Sequence, residues 1–248
     1  MGVTYNNRIV TDGLVLCLDA ASKRSYPGTG TTWTDRSANR YDGTLANGPT
    51  FSSDNAGSIY FDGSNDYCEF PETDILNFQP TQPFSVFCWV VKSGSSGAVL
   101  ANMEASSPYQ GWDIWNQNSN TAFAMHLISN WNNNAIKVKV NCNPYPAIQY
   151  FGYTYDGSCP TNTTDSLNSV NFFIDGKLTT SGKSLEGANG FSSTSESISY
   201  PAGQKFRLGA RYTGQNGSSR LYAVHIYSKA LTSEEIRRNY LSTKERYA

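Results

Sequence analysis

The sequence predicts an all-β fold, an antiparallel jelly-roll β-sandwich closed by a short C-terminal helix. Three observations predict it. The 248 residues are rich in Gly (21) and Tyr (16), Ser, Asn and Thr are plentiful and strong helix formers are sparse, a composition that suits many short strands joined by polar turns. Short apolar runs bounded by Gly, Asp, Asn and Ser recur along the chain. Helix-start signals gather at one place only, close to the C-terminus.

The elements follow in order. Residues 13–19 (Gly-Leu-Val-Leu-Cys-Leu-Asp) form the first strand, apolar enough to lie near the centre of a sandwich. A polar loop spans 25–48. Residues 58–70 read as two strands on either side of a turn at Asp62-Gly63, with Ile59 and Phe61 alternating against Ser58 and Tyr60. Residues 84–91 form the strongest strand, with Phe84, Val86, Cys88 and Val90 on one face and Phe87, Trp89 and Val91 on the other, so it is expected to be central. Further strands are expected at 98–101, 111–115, 122–128 and 148–155. Asp175-Gly176 between apolar runs signals a hairpin. A strand at 206–211 follows, then one at 220–227 with Leu221, Ala223, His225 and Tyr227 on one face and Tyr222, Val224 and Ile226 on the other. Thr232 caps the closing helix with Glu235 as reciprocal partner, and Leu231 and Ile236 stand at the staple positions. The long 157–169 connection and the Tyr145-Pro146 region are the individual parts of the chain.

Length and pattern place a 1–12 arm before one domain over 13–248. The formal charge of −1 and pI near 6.1 come with no basic block, which removes the electrostatic footprint of a nucleic-acid binder. No run approaches the ~20 apolar residues of a membrane span. Met1 to Arg8 lacks a signal-peptide pattern. Met1-Gly2 does not make a myristoylation site, since Asn6 stands where Ser or Thr is required. The five cysteines fit no zinc spacing. Cys17, Cys68 and Cys88 lie in expected strands as small hydrophobes, and Cys142 and Cys159, in or beside loops, are the one pair open to bridging.

Catalytic chemistry is missing. A glycosidase needs carboxylates projecting to one face of a strand, and Glu69, Glu72 and Asp74 have the wrong spacing around a strand-breaking Pro71. Glu234 and Glu235 are helix-cap residues. His126 and His225 read as structural, and there is no nucleophile elbow or phosphate loop. The expectation is a non-enzyme with no cofactor. Asp62, Asn65 and Asp66, and Asp35, Asn39 and Asp42, are calcium candidates, but turn chemistry accounts for them equally, and no metal is expected. Glycan binding needs aromatic faces beside amides and carboxylates. Tyr109, Trp112, Trp115, Asn116, Asn118, Asn130 and Trp131 offer these, and Tyr212, Gln215 and Asn216 could share their rim. The ligand-binding set is therefore Tyr109, Trp112, Trp115, Asn130, Trp131 and Tyr212, with the alternative that the tryptophans are core and the asparagines turns. Asn162 and Asn216 begin sequons that matter only in a secretory pathway.

Several stretches carry a resemblance. Phe61-Asp62-Gly63-Ser64-Asn65-Asp66-Tyr67, Trp33 to Gly43, Trp89-Val90-Val91-Lys92, Thr154-Tyr155-Asp156-Gly157, the Asp175-Gly176-Lys177 hairpin and Ala230 to Ile236 stand in the order found in laminin-G-like domains of the concanavalin A-like lectin and glucanase superfamily. Ala38 and Arg40 depart from that pattern, as does Leu221-Tyr222-Ala223-Val224, which stands where many relatives carry a calcium-binding Asp. The opening, Gly13 to Ala20 followed by Ser25 to Trp33, resembles domains in structural proteins of tailed phages of aquatic bacteria. The resemblance implies a non-enzymatic virion protein made in the host cytoplasm, acting in capsid decoration or as a tail-fibre or adhesin component. Its partners would be other virion proteins and host or environmental glycans, with no nucleic acid and no membrane. Strand edges leave homo-oligomerisation open. A free carbohydrate-binding lectin module is the alternative, and glycoside hydrolysis ranks last.

Overall fold

The computed structural model describes residues 8–92, 96–117, 121–142, 147–187 and 189–247. Asn118 and the Tyr145-Pro146 region lie outside the described residues. Among these residues two antiparallel sheets face each other. The eight-stranded sheet runs β14 (Lys177–Thr179), β13 (Val170–Ile174), β12 (Gln149–Tyr155), β7 (Phe84–Lys92), β17 (Ser218–Tyr227), β5 (Ser58–Asp62) and β4 (Thr50–Ser52), with β1 (Leu14–Asp19) on the second half of β17. The nine-stranded sheet runs β15 (Lys183–Leu185), β11 (Asn134–Asn141), β10 (Ala122–Asn130), β9 (Gly111–Gln117), β8 (Gly97–Met103), β16 (Arg207–Leu208), β6 (Tyr67–Glu69), β3 (Gly43–Ala46) and β2 (Thr32–Trp33). A six-residue helix, α1 (Thr163–Asn168), and the closing helix, α2 (Ser233–Tyr247), complete the jelly-roll sandwich.

β7 lies between β12 and β17 and is buried on both faces for the reason its sequence gives. Phe84, Val86, Cys88 and Val90 enter the core between the sheets. Phe87 and Trp89 enter a second cluster, where α2 covers the outer face of the eight-stranded sheet with Ile236 and Tyr247. The expected capping box is formed: Thr232 N–H donates to Glu235 Oε2 (2.9 Å), and Glu235 N–H to Thr232 Oγ1 (3.3 Å). Asp175 and Gly176 take left-handed φ of 50° and 73°, and β13 and β14 pair directly across them, as a tight hairpin turn requires.

Three readings need correction, and one left open is answered. β5 and β6 are not a hairpin, because β5 pairs with β17 and β4 while β6 pairs with β16 and β3. The Asp62-Gly63 turn carries the chain from one sheet to the other, and Phe61 and Cys68 meet in one core from opposite sides. In β17 the strict alternation fails. A register shift between Leu221 and Ala223 puts Leu221 with Val224 and Ile226 in the inter-sheet core and turns Tyr222, Ala223 and Tyr227 toward α2, which is what one extra residue in a ladder does. β11 and α1 were not anticipated. All five cysteines are free thiols, so Cys142 and Cys159 do not bridge.

The polar loop is built around Asp35, which is wholly buried. Its Oδ1 accepts the N–H groups of Cys17 and Ser37 (both 2.8 Å), and its Oδ2 accepts Ser37 Oγ–H (2.5 Å) and Tyr41 N–H (2.9 Å). Asp42 accepts Asp35 N–H (2.8 Å), Asp62 accepts Ser64 N–H (2.7 Å) and Asp66 accepts Asp62 N–H (3.2 Å). These carboxylates hold turns.

Candidate ligand-binding face

Strand register sets the site. On the outer face of the nine-stranded sheet, Lys137 of β11, His126 of β10, Asp113 of β9 and Ala101 of β8 stand side by side. Arg207 of β16 and Glu69 of β6 continue the row. Neighbours along the strands, among them Ile136, Leu127, Trp112 and Ile114, point into the core, as the two-residue period dictates. β9 can begin against β8 because Gly111 has no side chain: at its φ of +129° a Cβ would stand 1.9 Å from Asn102 O.

The centre of the row is a buried ionic chain. Asp113, His126 and Arg211 are 0%, 2% and 3% exposed, a degree of burial that charged groups tolerate only when paired. Arg211 Nε and Nη2 donate to Asp113 Oδ2 at 2.8 and 2.7 Å. His126 Nδ1 lies 2.8 Å from Asp113 Oδ1 and Nε2 lies 3.0 Å from Glu186 Oε2. Glu186 also receives the Gln117 amide and lies 3.8 Å from Lys139 Nζ. An ionised carboxylate only accepts, so an imidazole placed between two of them is favoured in its protonated form, while Arg211 Nη2, 3.3 Å from Nδ1, opposes it. Burial alone would raise the Asp113 carboxyl, but Arg211 and His126 outweigh it and hold it below its ordinary value. Burial alone would lower His126, but Asp113 and Glu186 outweigh it and raise it.

Aromatic rings roof this chain. Trp131 meets the His126 ring edge-on at 5.3 Å and Tyr109 at 5.3 Å. The Arg211 guanidinium lies 4.4 Å from the Trp115 ring centre and 5.5 Å from that of Tyr109. Lys137 Nζ sits 4.7 Å over the Trp131 ring and donates to Trp131 O (2.8 Å). Tyr109, Trp115 and Trp131 are each half-buried, resting on a floor of Ala98, Ala101, Met103, Ile128 and Ala135. A second, smaller group adjoins it: Arg207 lies 4.1 Å over Tyr67 and 5.0 Å over Tyr212, and Glu69 joins Lys205 (2.7 Å) and Arg207 (2.5 Å).

The structure thus brings together Tyr109, Trp115 and Trp131, and sets Tyr212 beside them with Arg207. Trp112 is different. It is wholly buried between the sheets, stacks on Phe206 and donates from Nε1 to Leu76 O (2.7 Å), so it is a core residue and touches no ligand. Asn130 Oδ1 accepts Asn132 N–H (3.1 Å) in the β10–β11 turn. Gln215 and Asn216 donate to the carbonyls of Ala105 and Ser64. Sequence reasoning missed Asp113, Arg211 and Glu186. An aspartate between Trp112 and Ile114 was the available signal, since such a residue on an apolar strand demands a partner. What the arrangement offers is flat, half-exposed rings, one on β9 and two on the adjoining loop and turn, with charged and amide groups at their margin.

No model of a protein family matches the chain, and no curated protein matches it. Solved structures share its fold. A Trypanosoma rangeli sialidase in complex with sialic acid is 14% identical with a TM-score of 0.61, over 94% of this chain and 33% of the sialidase. A structure of botulinum neurotoxin type C, whose cell entry depends on interaction with two ganglioside molecules, is 12% identical with a TM-score of 0.63, over 94% of this chain and 52% of that one. The binding domain of Paraclostridial Mosquitocidal Protein 1 is 13% identical with a TM-score of 0.61, over 92% of this chain and 52% of that one. The chain therefore spans a third to a half of the length of the structures it matches, and the likeness establishes a β-sandwich of concanavalin-like type.

Proposed function

We propose that this chain is a non-enzymatic glycan-binding module, and that Tyr109, Trp115 and Trp131 form its contact surface. One observation carries the reading: three half-exposed rings, Trp115 on β9, Tyr109 in the β8–β9 loop and Trp131 in the β10–β11 turn, converge above a satisfied ionic chain and contact its members, so they are held in place before any ligand arrives. Sugar rings present apolar C–H faces to such aromatics and hydroxyls to the polar groups beside them. Shared fold with a sialidase holding sialic acid and with a neurotoxin that engages gangliosides supports a carbohydrate ligand. The non-enzymatic part is supported by Asp113 and Glu186: both carboxylates are committed to cations and amides, which leaves neither poised as an acid–base pair. The finer reading is a structural protein of a tailed-phage virion, in capsid decoration or a tail-fibre tip. It is supported by the resemblance of the Gly13–Ala20 and Ser25–Trp33 stretches.

A printed glycan array tests the module. Wild-type protein is expected to select a defined glycan set, and Trp115→Ala and Trp131→Ala each to weaken binding by about tenfold, or ~1.4 kcal/mol, with an unchanged far-UV circular dichroism spectrum. Equal binding by all three proteins would remove this face as the site. Co-sedimentation with phage particles and immunogold labelling test the virion role, and a protein that associates with no particle returns the reading to a free lectin.

A further inference from the structure

Lys92, the last residue of β7, is wholly buried. A buried ammonium ordinarily has a carboxylate beside it, but among the described residues none pairs with this one. Its neighbours are a carbonyl, a ring and a thiol: Nζ donates to Ala122 O (2.6 Å), stands 3.8 Å from the centre of the Phe123 ring and lies 3.7 Å from Cys142 Sγ. Burial holds the Cys142 thiol above its ordinary value, although Lys92 acts against it, so the sulfur does not supply the missing anion. Burial also draws the lysine down to about 8, so the neutral amine, the form with a free lone pair, is populated at mildly alkaline pH. We propose that Lys92 and Cys142 form an oxidative cross-link, an Nζ–O–Sγ bridge that takes its oxygen from dioxygen and staples the two sheets together.

The sulfur loses its hydrogen, and the amine nitrogen loses one of its two. One atom of O2 becomes the bridge, and the other leaves with those two hydrogens as water. Sulfur and nitrogen each give up two electrons, and the four reduce O2. A dithiol reverses the reaction, returning thiol, amine and water. The 3.7 Å gap admits one bridging atom, and the flexible four-carbon stem of the lysine closes the rest of the distance. Cys142 is 8% exposed and stands just past the end of β11, which leaves an approach for a molecule as small as O2. Cys159, by contrast, gives its S–H to the carbonyl of Ser193 (3.3 Å), a group that cannot join such a bridge.

β7 belongs to the eight-stranded sheet and β11 to the nine-stranded one. The bridge therefore closes a loop across the sandwich between residues 50 positions apart, which restricts the unfolded chain as a disulfide does. It persists only where no thiol pool reduces it. The inference is independent of any glycan, and its test needs no ligand.

One sample of the full chain is held at about pH 8 in air-saturated buffer and another under argon with dithiothreitol. The intact mass of the aerated sample should rise by one oxygen less two hydrogens. Its non-reducing digest should contain the Lys92 peptide joined to the Cys142 peptide, and dithiothreitol should erase both signals. The urea midpoint of aerated protein should lie above that of reduced protein at constant m-value. Cys142→Ser, close in size to the native residue, should show no joined peptides and the same midpoint in both buffers. An aerated chain without the joined peptides, oxygen found on Cys142 alone, or a midpoint indifferent to the bridge would each overturn the proposal.

Discussion

Ending the chain at Lys229 abolishes cooperative folding. α2 is the cover of a hydrophobic face: Phe87, Trp89, Tyr150, Tyr222 and Tyr227 lie beneath it, nearly or wholly buried. Burial of an apolar side chain of this size stabilises by ~1.5–3 kcal/mol, so uncovering even half of that surface costs on the order of 5 kcal/mol, comparable to the whole stability of a typical domain. Specific ties are lost as well. Trp89 Nε1 donates to Thr243 Oγ1 (2.8 Å), Tyr247 OH donates to Asp19 Oδ1 (2.6 Å), and Asn239 Oδ1 accepts Val10 N–H (2.7 Å) from a buried position. The truncated chain is expected in inclusion bodies, or soluble with strong binding of an apolar dye and no sigmoidal urea transition. A soluble product with a cooperative transition would show that the inter-sheet core suffices alone.

Asp35→Ala is expected to cost about 4 kcal/mol. Three backbone N–H groups and one hydroxyl converge on this carboxylate inside the protein. Each buried donor left without an acceptor costs ~1–3 kcal/mol, and water entering the gap recovers part of the sum. Asp35→Asn separates the two halves of the argument. An amide oxygen at the Oδ1 position still serves Cys17 and Ser37, while the amide nitrogen opposes Tyr41 N–H, so roughly half the loss is expected. Urea denaturation measures both, and a midpoint change with constant m-value marks a stability effect. A loss below about 1 kcal/mol for Asp35→Ala would mean that the loop reorganises around the gap.

What was legible in the sequence is what a strand or helix declares locally. β7 shows its centrality because both of its faces are apolar, and Thr232 with Glu235 declares a helix start within four residues. The β17 bulge was not legible, because it shows only in the register of β17 against β7, a strand far away in the sequence. β11 was readable, since Ile136, Val138 and Val140 alternate with Lys137 and Lys139, but the preceding asparagines suggested a longer turn. Trp112 and Trp115 are three residues apart on one strand and therefore face opposite ways. Period alone separates the core tryptophan from the surface one, whereas aromatic composition groups them. The ionic chain had no local signature, because Arg211 and Glu186 lie 98 and 60 residues from their partners Asp113 and His126.

The position of α2 has a consequence for how the aromatic face can be presented. Arg8 O accepts Arg238 Nε–H (2.9 Å) and Val10 N–H reaches Asn239, so the first described residues and the final helix run together across the back of the eight-stranded sheet. The aromatic rings lie on the front, beyond both sheets. A surface linker attached to α2 stands behind the sandwich, on the face opposite the rings. Protein immobilised through α2 therefore presents Tyr109, Trp115 and Trp131 to solution, with the support on the far side of both sheets.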